Sequence, residues 1–351
     1  MSAESPKPLW LETPLVYSKH ISAALDADVY LKLDVLQPSQ SFKYRGISHF
    51  IQNALRTHGP SVHLVIASGG NAGLAAACAA KALKLRCTVY LPVGASASTL
   101  AFFKQEGAEV EIVGKCYQEA LTAAEEAVNA EQAAVMIPAY DNPLLWEGHA
   151  SMIRETARQL PPGTKPDTVA LALNPGPFGS TPQSPPEGTE VLHDTEYDVN
   201  YARLAKLTSR ASSLGASWAS PGAVKAALVR KGGVKSVCIS DEMAMQASFE
   251  FAGKSTIASL DYGANWVSED EHKILVELAC AATLVSAYSP TLFDKLVPPK
   301  ASGARRTVVY IVCGGFKVSL AELAEYKAIV EAEQSKEWQV LCNGERWNIP
   351  K

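Results

Sequence analysis

Short runs of β-branched and apolar residues alternate with longer segments of helical period through the first half of the chain. HLVIAS precedes NAGLAAACAAKAL, CTVYLPV precedes SASTLAFFKQEGA, EVEIVG precedes CYQEALTAAEEAVNA, and AAVMIPA precedes PLLWEGHASMIRETARQL. The strands expected at 63–67, 87–93 and 134–138 are nearly unbroken apolar runs. A strand that is apolar on both faces belongs in a parallel sheet covered by helices above and below. After residue 204 the alternation resumes with KSVCIS, a helix DEMAMQASFEF, a helix around EHKILVELACAATLVSAY, the strand RTVVYIVCGG and a last helix SLAELAEYKAIVEAEQ. Two stretches break the rhythm. Residues 174–203, proline-dense and poor in aliphatics, read as a loop inside the α/β alternation, and the polar patch at 253–271 reads as a surface insertion between helices.

At 351 residues the chain exceeds what one hydrophobic core organises, which points to two domains or to one large domain with a smaller lobe. Hydrophobic residues at 47% against 19% charged exclude wholesale disorder. The net charge of −4 and the lack of a basic stripe argue against nucleic acid as a partner. Lys81 and Lys84 interrupt the alanine-rich stretch nearest to a membrane span, and MSAESPKPLWLETPL has no apolar signal core, so a cytoplasmic protein without membrane contact is expected. Seven widely spaced cysteines without a C-x-x-C pair indicate neither a disulfide framework nor a zinc site, and most are expected to be reduced and buried.

Four segments carry candidate chemistry. In PSQSFKYRG, Lys43 opens a helical pattern, with Ser39 or Ser41 available as its cap and Phe42 as an apolar wall. A lysine that forms a covalent bond to a carbonyl needs partial desolvation, so that its amine is neutral near pH 7. Ser68-Gly69-Gly70-Asn71-Ala72-Gly73 lies between a buried strand and a small-residue helix. Such a turn presents consecutive N–H groups to a carboxylate or phosphate. It has neither the G-x-G-x-x-G spacing of a dinucleotide fold nor the G-K-[ST] of a P-loop. TVVYIVCGG ends an apolar strand at Cys313, at the carboxyl edge where open α/β sheets bind ligands. Glu147 and His149 in NPLLWEGHAS are two residues apart and so on different helix faces, which argues for local hydrogen bonding over a shared metal.

Taken in order and spacing, PSQSFKYRG, ASGGNAGLAAACAAKAL, IPAYDNPLLWEGHAS, TSRASSLGA and VYIVCGG resemble the pyridoxal-phosphate-dependent L-serine/L-threonine dehydratases, the fold-type II group related to tryptophan synthase β chains. The resemblance spans roughly 8–173 and 204–330. It implies an α/β fold of two lobes, each a mostly parallel open sheet flanked by helices, with the cofactor in a cleft between them. The implied domains are 1–36 with 139–351 (large, cofactor-binding) and 37–138 (small). It further implies that Lys43 bonds to the cofactor aldehyde and later removes the substrate α-proton, and that Phe42 packs on the cofactor ring. Asn71 would bond the ring 3′-oxygen, Ser68, Gly69, Gly70, Asn71 and Ala72 would hold the substrate, and Cys313 would be the neutral group facing the pyridine nitrogen. The implied reaction is deamination of L-serine, and of L-threonine, to pyruvate or 2-oxobutyrate and ammonia. A homodimer and a monovalent cation such as potassium are family expectations.

The sequence departs from the family after TVALAL. Where the family has four glycines cradling the cofactor phosphate, this chain has Asn174, Pro175, Gly176 and Pro177, so Gly176 alone keeps the expected residue. The prolines have no N–H and fix φ near −65°. Two lost charge-assisted bonds, at about 1.5–3 kcal/mol each, would weaken cofactor binding by about 10²–10⁴-fold. Two other readings therefore stand beside the dehydratase: a β-replacement synthase of the same fold, and a non-catalytic member that keeps only the scaffold. The departure at 174–203 fits either a degenerate paralogue or a misassembled exon.

Overall fold

The computed structural model describes residues 7–172, 187–253 and 273–351. The chain divides into two compact units, residues 1–14 with 34–160 and residues 15–33 with 161–351. The sequence-based boundary at 139 lies elsewhere: the helix Pro143–Gln159 packs on Lys43–His58 and so belongs to the first unit.

The first unit is built on a four-stranded parallel sheet in the order Glu109–Ile112, Arg86–Leu91, His63–Ala67, Ala134–Met136. All five residues of His63–Ala67 are buried, as an interior parallel strand requires. The neighbouring strand stops at Leu91, short of the expected 93, because Pro92 cannot donate to the ladder. Helix Tyr117–Ala130 covers one side, with Ala124 packed against Val65 and Ala67. Helix Asn71–Leu83 is buried from Asn71 through Ala80, and its alanines let four neighbouring elements approach closely. Helix Pro143–Gln159 starts where sequence rules place a start: Asn142 accepts a hydrogen bond from Leu144 N at 2.9 Å, and proline follows it.

The second unit has a four-stranded sheet in the order Leu15–Tyr17, Ala27–Leu33, Arg306–Val312, Thr168–Ala170. Its first pair is antiparallel and the others are parallel, with Arg306 opposite Ala27 and Val308 opposite Thr168. All seven residues of Arg306–Val312 are buried. A separate antiparallel sheet joins Val237–Cys238, Glu337–Cys342 and Glu345–Pro350. Its last two strands meet at Asn343-Gly344, with φ of 48° and 88°, the left-handed pair that a tight hairpin turn needs.

Two sequence expectations are corrected here. The stretch 174–203 is not wholly a loop, since Glu190–Asp194 and Val199–Arg203 form an antiparallel hairpin. The alternating EVLHD and VNYAR carried that signal, and the preceding prolines masked it. The helix expected around 271–288 is restricted to Leu278–Leu284 with a 3₁₀ turn at Val285–Ala287. The polar patch at 253–271 lies outside the described residues beyond Gly253. No helix among the described residues is long and apolar enough to cross a membrane. None of the seven cysteines forms a disulfide. Cys78, Cys87, Cys280 and Cys342 are buried, Cys238 and Cys313 are half-buried, and Cys116 is exposed.

Candidate active site

The segment before Lys43 is tied down at both ends. Gln37 exchanges two hydrogen bonds with the Leu11 backbone, at 3.0 and 2.8 Å. Gln40 then turns the chain through φ 58°, a conformation that suits glycine better than a side chain with a Cβ. Phe42 occupies the cap position of helix Lys43–His58 in a helical conformation, and no side chain caps the helix. Ser39 and Ser41, the expected caps, are instead buried with hydroxyls that have no hydrogen-bond partner. Lys43 is the first helical residue. Its Nζ donates to the Ala139 carbonyl at 2.9 Å and lies 5.5 Å from the centre of the Phe42 ring. Burial lowers the amine's pKa to about 8, so a substantial neutral fraction exists near physiological pH.

Within the same unit, Ser68, Gly69 and Gly70 form the half-buried turn between strand His63–Ala67 and helix Asn71–Leu83. The Gly70 N–H donates to Ser68 Oγ at 3.3 Å, which bends the turn over its own hydroxyl. Asn71 and Ala72 are buried at the helix start, where the first N–H groups have no intrahelical acceptor. Gly73 is required for packing, because the Ser68 carbonyl occupies the place of any Cβ there. Helix Lys43–His58 packs on Asn71–Leu83, and Tyr44 faces Cys78.

Cys313 belongs to the second unit, directly after strand Arg306–Val312. A hydrogen bond with Cys280, burial and the Glu277 carboxylate hold its thiol well above the ordinary range, so it is a neutral group at any physiological pH. Gly314 donates to Cys280 Sγ at 3.3 Å, and Gly315, at φ 134°, leaves room for the Glu277 carboxyl where a Cβ would overlap it. The TSRASSLGA stretch forms a turn anchored on Asp241, which accepts from Ser209 Oγ at 2.6 Å and from Arg210 N at 2.7 Å. Gly176 and the other three positions of the expected phosphate cradle lie outside the described residues.

Of two residues beside Lys43, Arg45 was not singled out in the sequence, and His149 was singled out with a different role. Arg45 is fully buried and spans Asp34 (2.7 and 2.8 Å), Glu155 (2.7 Å twice), Ser151 (2.9 Å) and Thr13 (3.2 Å). His149, expected to bond locally, packs instead on Phe42, with ring centres 4.9 Å apart. Glu147 pairs with His49 at 3.4 Å on the exposed side. Both misses have one cause: the partners lie on helices about a hundred residues apart in sequence, beyond the reach of local periodicity. The described residues include no group of three histidine, cysteine or acidic side chains placed to hold a metal.

Residues 7–180 match the family described as "Pyridoxal-phosphate dependent enzyme". The chain is 34% identical to the L-serine dehydratase/L-threonine deaminase of Homo sapiens over 92% of its own length and 96% of that protein. It is equally 34% identical to a serine dehydratase-like protein of Mus musculus, covering 92% of this chain and 95% of that one. Among solved structures, a fungal L-serine ammonia-lyase from Rhizomucor miehei superposes with a TM-score of 0.71 at 23% identity, over 92% of this chain and 99% of that one. Two mainly parallel helix-flanked sheets together with this extent of similarity settle the family: the chain is a fold-type II pyridoxal-phosphate-dependent enzyme, homologous to the L-serine dehydratases/L-threonine deaminases.

Proposed function

We propose that the chain deaminates L-serine, and L-threonine, to pyruvate or 2-oxobutyrate and ammonia by α,β-elimination. The observation that carries this reading is the Lys43 amine, partly desolvated at a helix start, with its pKa brought down to about 8. Among the described residues the donor set suits pyridoxal phosphate. A neutral-capable amine stands beside an aromatic ring, two buried serine hydroxyls without partners lie on the segment just before it, and a glycine-rich turn at a helix start lies in the same unit. Lys43 and Phe42 would hold the group, and Asn71 and Cys313 would contact its ring edge.

Bound pyridoxal phosphate supplies an electron sink that acidifies the amino acid's Cα–H. Lys43 Nζ is the base able to take that proton and return it, because its neutral form is populated near pH 8. The turn at Ser68–Ala72 orients the substrate carboxylate through backbone N–H donors and the Ser68 hydroxyl. If the ring nitrogen faced Cys313, a neutral thiol there would not force a proton onto it, which would favour loss of the β-hydroxyl over transamination. The reading also takes in a homodimer and a monovalent cation, on the strength of the family resemblance, and a cytoplasmic location, on the strength of the sequence.

The test is direct. Purified chain mixed with pyridoxal phosphate should develop a visible absorption band, absent in Lys43→Ala, and borohydride should fix the adduct on the Lys43 peptide. L-serine should then release pyruvate, read through lactate dehydrogenase, without a second nucleophilic substrate. A second reading, a scaffold without activity, is favoured by Pro175 and Pro177 in the phosphate cradle. No band at saturating cofactor would decide for it.

A further inference from the structure

The imidazole of His149 touches the turn that carries Lys43 at two points. One face packs on the Phe42 ring, 4.9 Å between centres and tilted by 49°. The opposite edge, Cε1 and Nε2, lies 2.6 Å from where a Cβ on Gly46 would sit, so only glycine admits the ring there. Phe42 and Gly46 are four residues apart and share a helix face, one just before Lys43 and one three residues after it. A single side chain from helix Pro143–Gln159 therefore grips the first turn of Lys43–His58 from both ends, while the lysine's own Nζ is tethered to Ala139.

The charges around the ring decide what it can do. Lys43 and Arg45 face it from the opposing helix. The carboxylates on the packed elements are engaged elsewhere: Asp34 and Glu155 on Arg45, and Glu147 on His49. A protonated ring would thus be buried among cations without a counter-ion, and burial with these neighbours lowers its pKa to about 3. Its Nδ1 is buried and has no hydrogen-bond partner. A proton relay needs a partner on each nitrogen, so this histidine is no relay.

We propose that His149 is a positioning residue for Lys43: an uncharged clamp that fixes the first helical turn and keeps water from the amine. The proposal rests on Lys43 being the reactive amine, yet it concerns the protein without cofactor and can be tested there. Competitive acetylation of the cofactor-free chain across a pH series, with the Lys43 peptide quantified by mass spectrometry, reads the amine's titration directly.

The wild-type midpoint is expected near 8. His149→Ala opens a water path and should raise it by about one unit or more, roughly a five-fold loss of labelling at pH 8. His149→Phe keeps a dry ring in place and should hold the midpoint at the wild-type value. A titration in His149→Ala that overlays wild type, or a rise in His149→Phe as large as in His149→Ala, overturns the proposal. Should His149→Ala lack the near-ultraviolet circular dichroism of the wild type, His149→Gln is read by the same rule, a raised midpoint supporting the clamp and an unchanged one rejecting it. Because no pyridoxal phosphate is present, failure of the clamp and failure of the proposed activity give separate signals. A normal midpoint pattern in a chain that never binds cofactor rejects only the activity.

Discussion

Gly46 and Gly148 lie against each other where helix Lys43–His58 meets helix Pro143–Gln159, and a Cβ on Gly148 would come within 2.7 Å of Gly46 Cα and of the Arg45 carbonyl. Backbone meets backbone at this contact, with no flexible side chain to give way. Gly148→Ala should therefore destabilise the chain by about 1–3 kcal/mol, as overpacking does. The urea midpoint should fall with little change in slope. A stability equal to wild type would mean that the helices separate without penalty.

The same interface holds Arg45 between two carboxylates. Arg45→Met removes the cation and leaves Asp34 and Glu155 buried without it, which should destabilise by about 3–5 kcal/mol. Arg45→Lys keeps the charge but cannot reach both carboxylates and Ser151 at once, so it should recover only part of that loss. Thermal unfolding of the two variants side by side checks the ranking.

Acid should act through His149. Its pKa is about 3 when folded, below the ordinary 6.5, so the unfolded chain binds more protons between these values. Stability from this residue is complete above about pH 6.5 and is lost as the pH falls toward 3. Lys43 works in the same direction at the alkaline end: its penalty is full below about pH 8 and is relieved as the pH rises toward 10.5. His149→Phe should flatten the acid limb only, and Lys43→Met the alkaline limb only, in melting temperatures recorded from pH 4 to pH 10.

Replacing Asn174, Pro175, Gly176 and Pro177 by four glycines should tighten pyridoxal phosphate binding by about 10²–10⁴-fold, since two N–H donors are restored. Titration of the visible band against added cofactor measures it. An unchanged affinity would show that the phosphate is held elsewhere.

Much of the scaffold was legible because buried parallel strands have a distinctive sequence pattern. HLVIA was expected at 63–67 and is found there, and TVVYIV lies in the second sheet as expected from its apolar run. The C-terminal hairpin was missed although its Asn343-Gly344 turn between alternating residues is a strong local signal. Its strands are half exposed and did not resemble the buried runs around them. In the candidate site, Lys43 and the glycine turn could be singled out from residue type and neighbours. Arg45 could not, and His149 was noted without its role, since a buried side chain and an exposed one look alike until the distant carboxylate or ring that faces each is known.

The pairing of Ala27–Leu33 with Arg306–Val312 bears on how the polypeptide is made. Arg305 donates to the Ala27 carbonyl, 278 positions away in sequence, so an early strand emerges from the ribosome long before its partner. At about 5–20 residues per second that interval is roughly a quarter of a minute to one minute. During it, the strand Ala27–Leu33, already able to pair with Leu15–Tyr17 on one edge, lacks its final neighbour on the other, while residues 34–160 already have their sheet complete. Nascent chains would thus expose one sticky ribbon for most of translation, and slower elongation should increase the demand for chaperones.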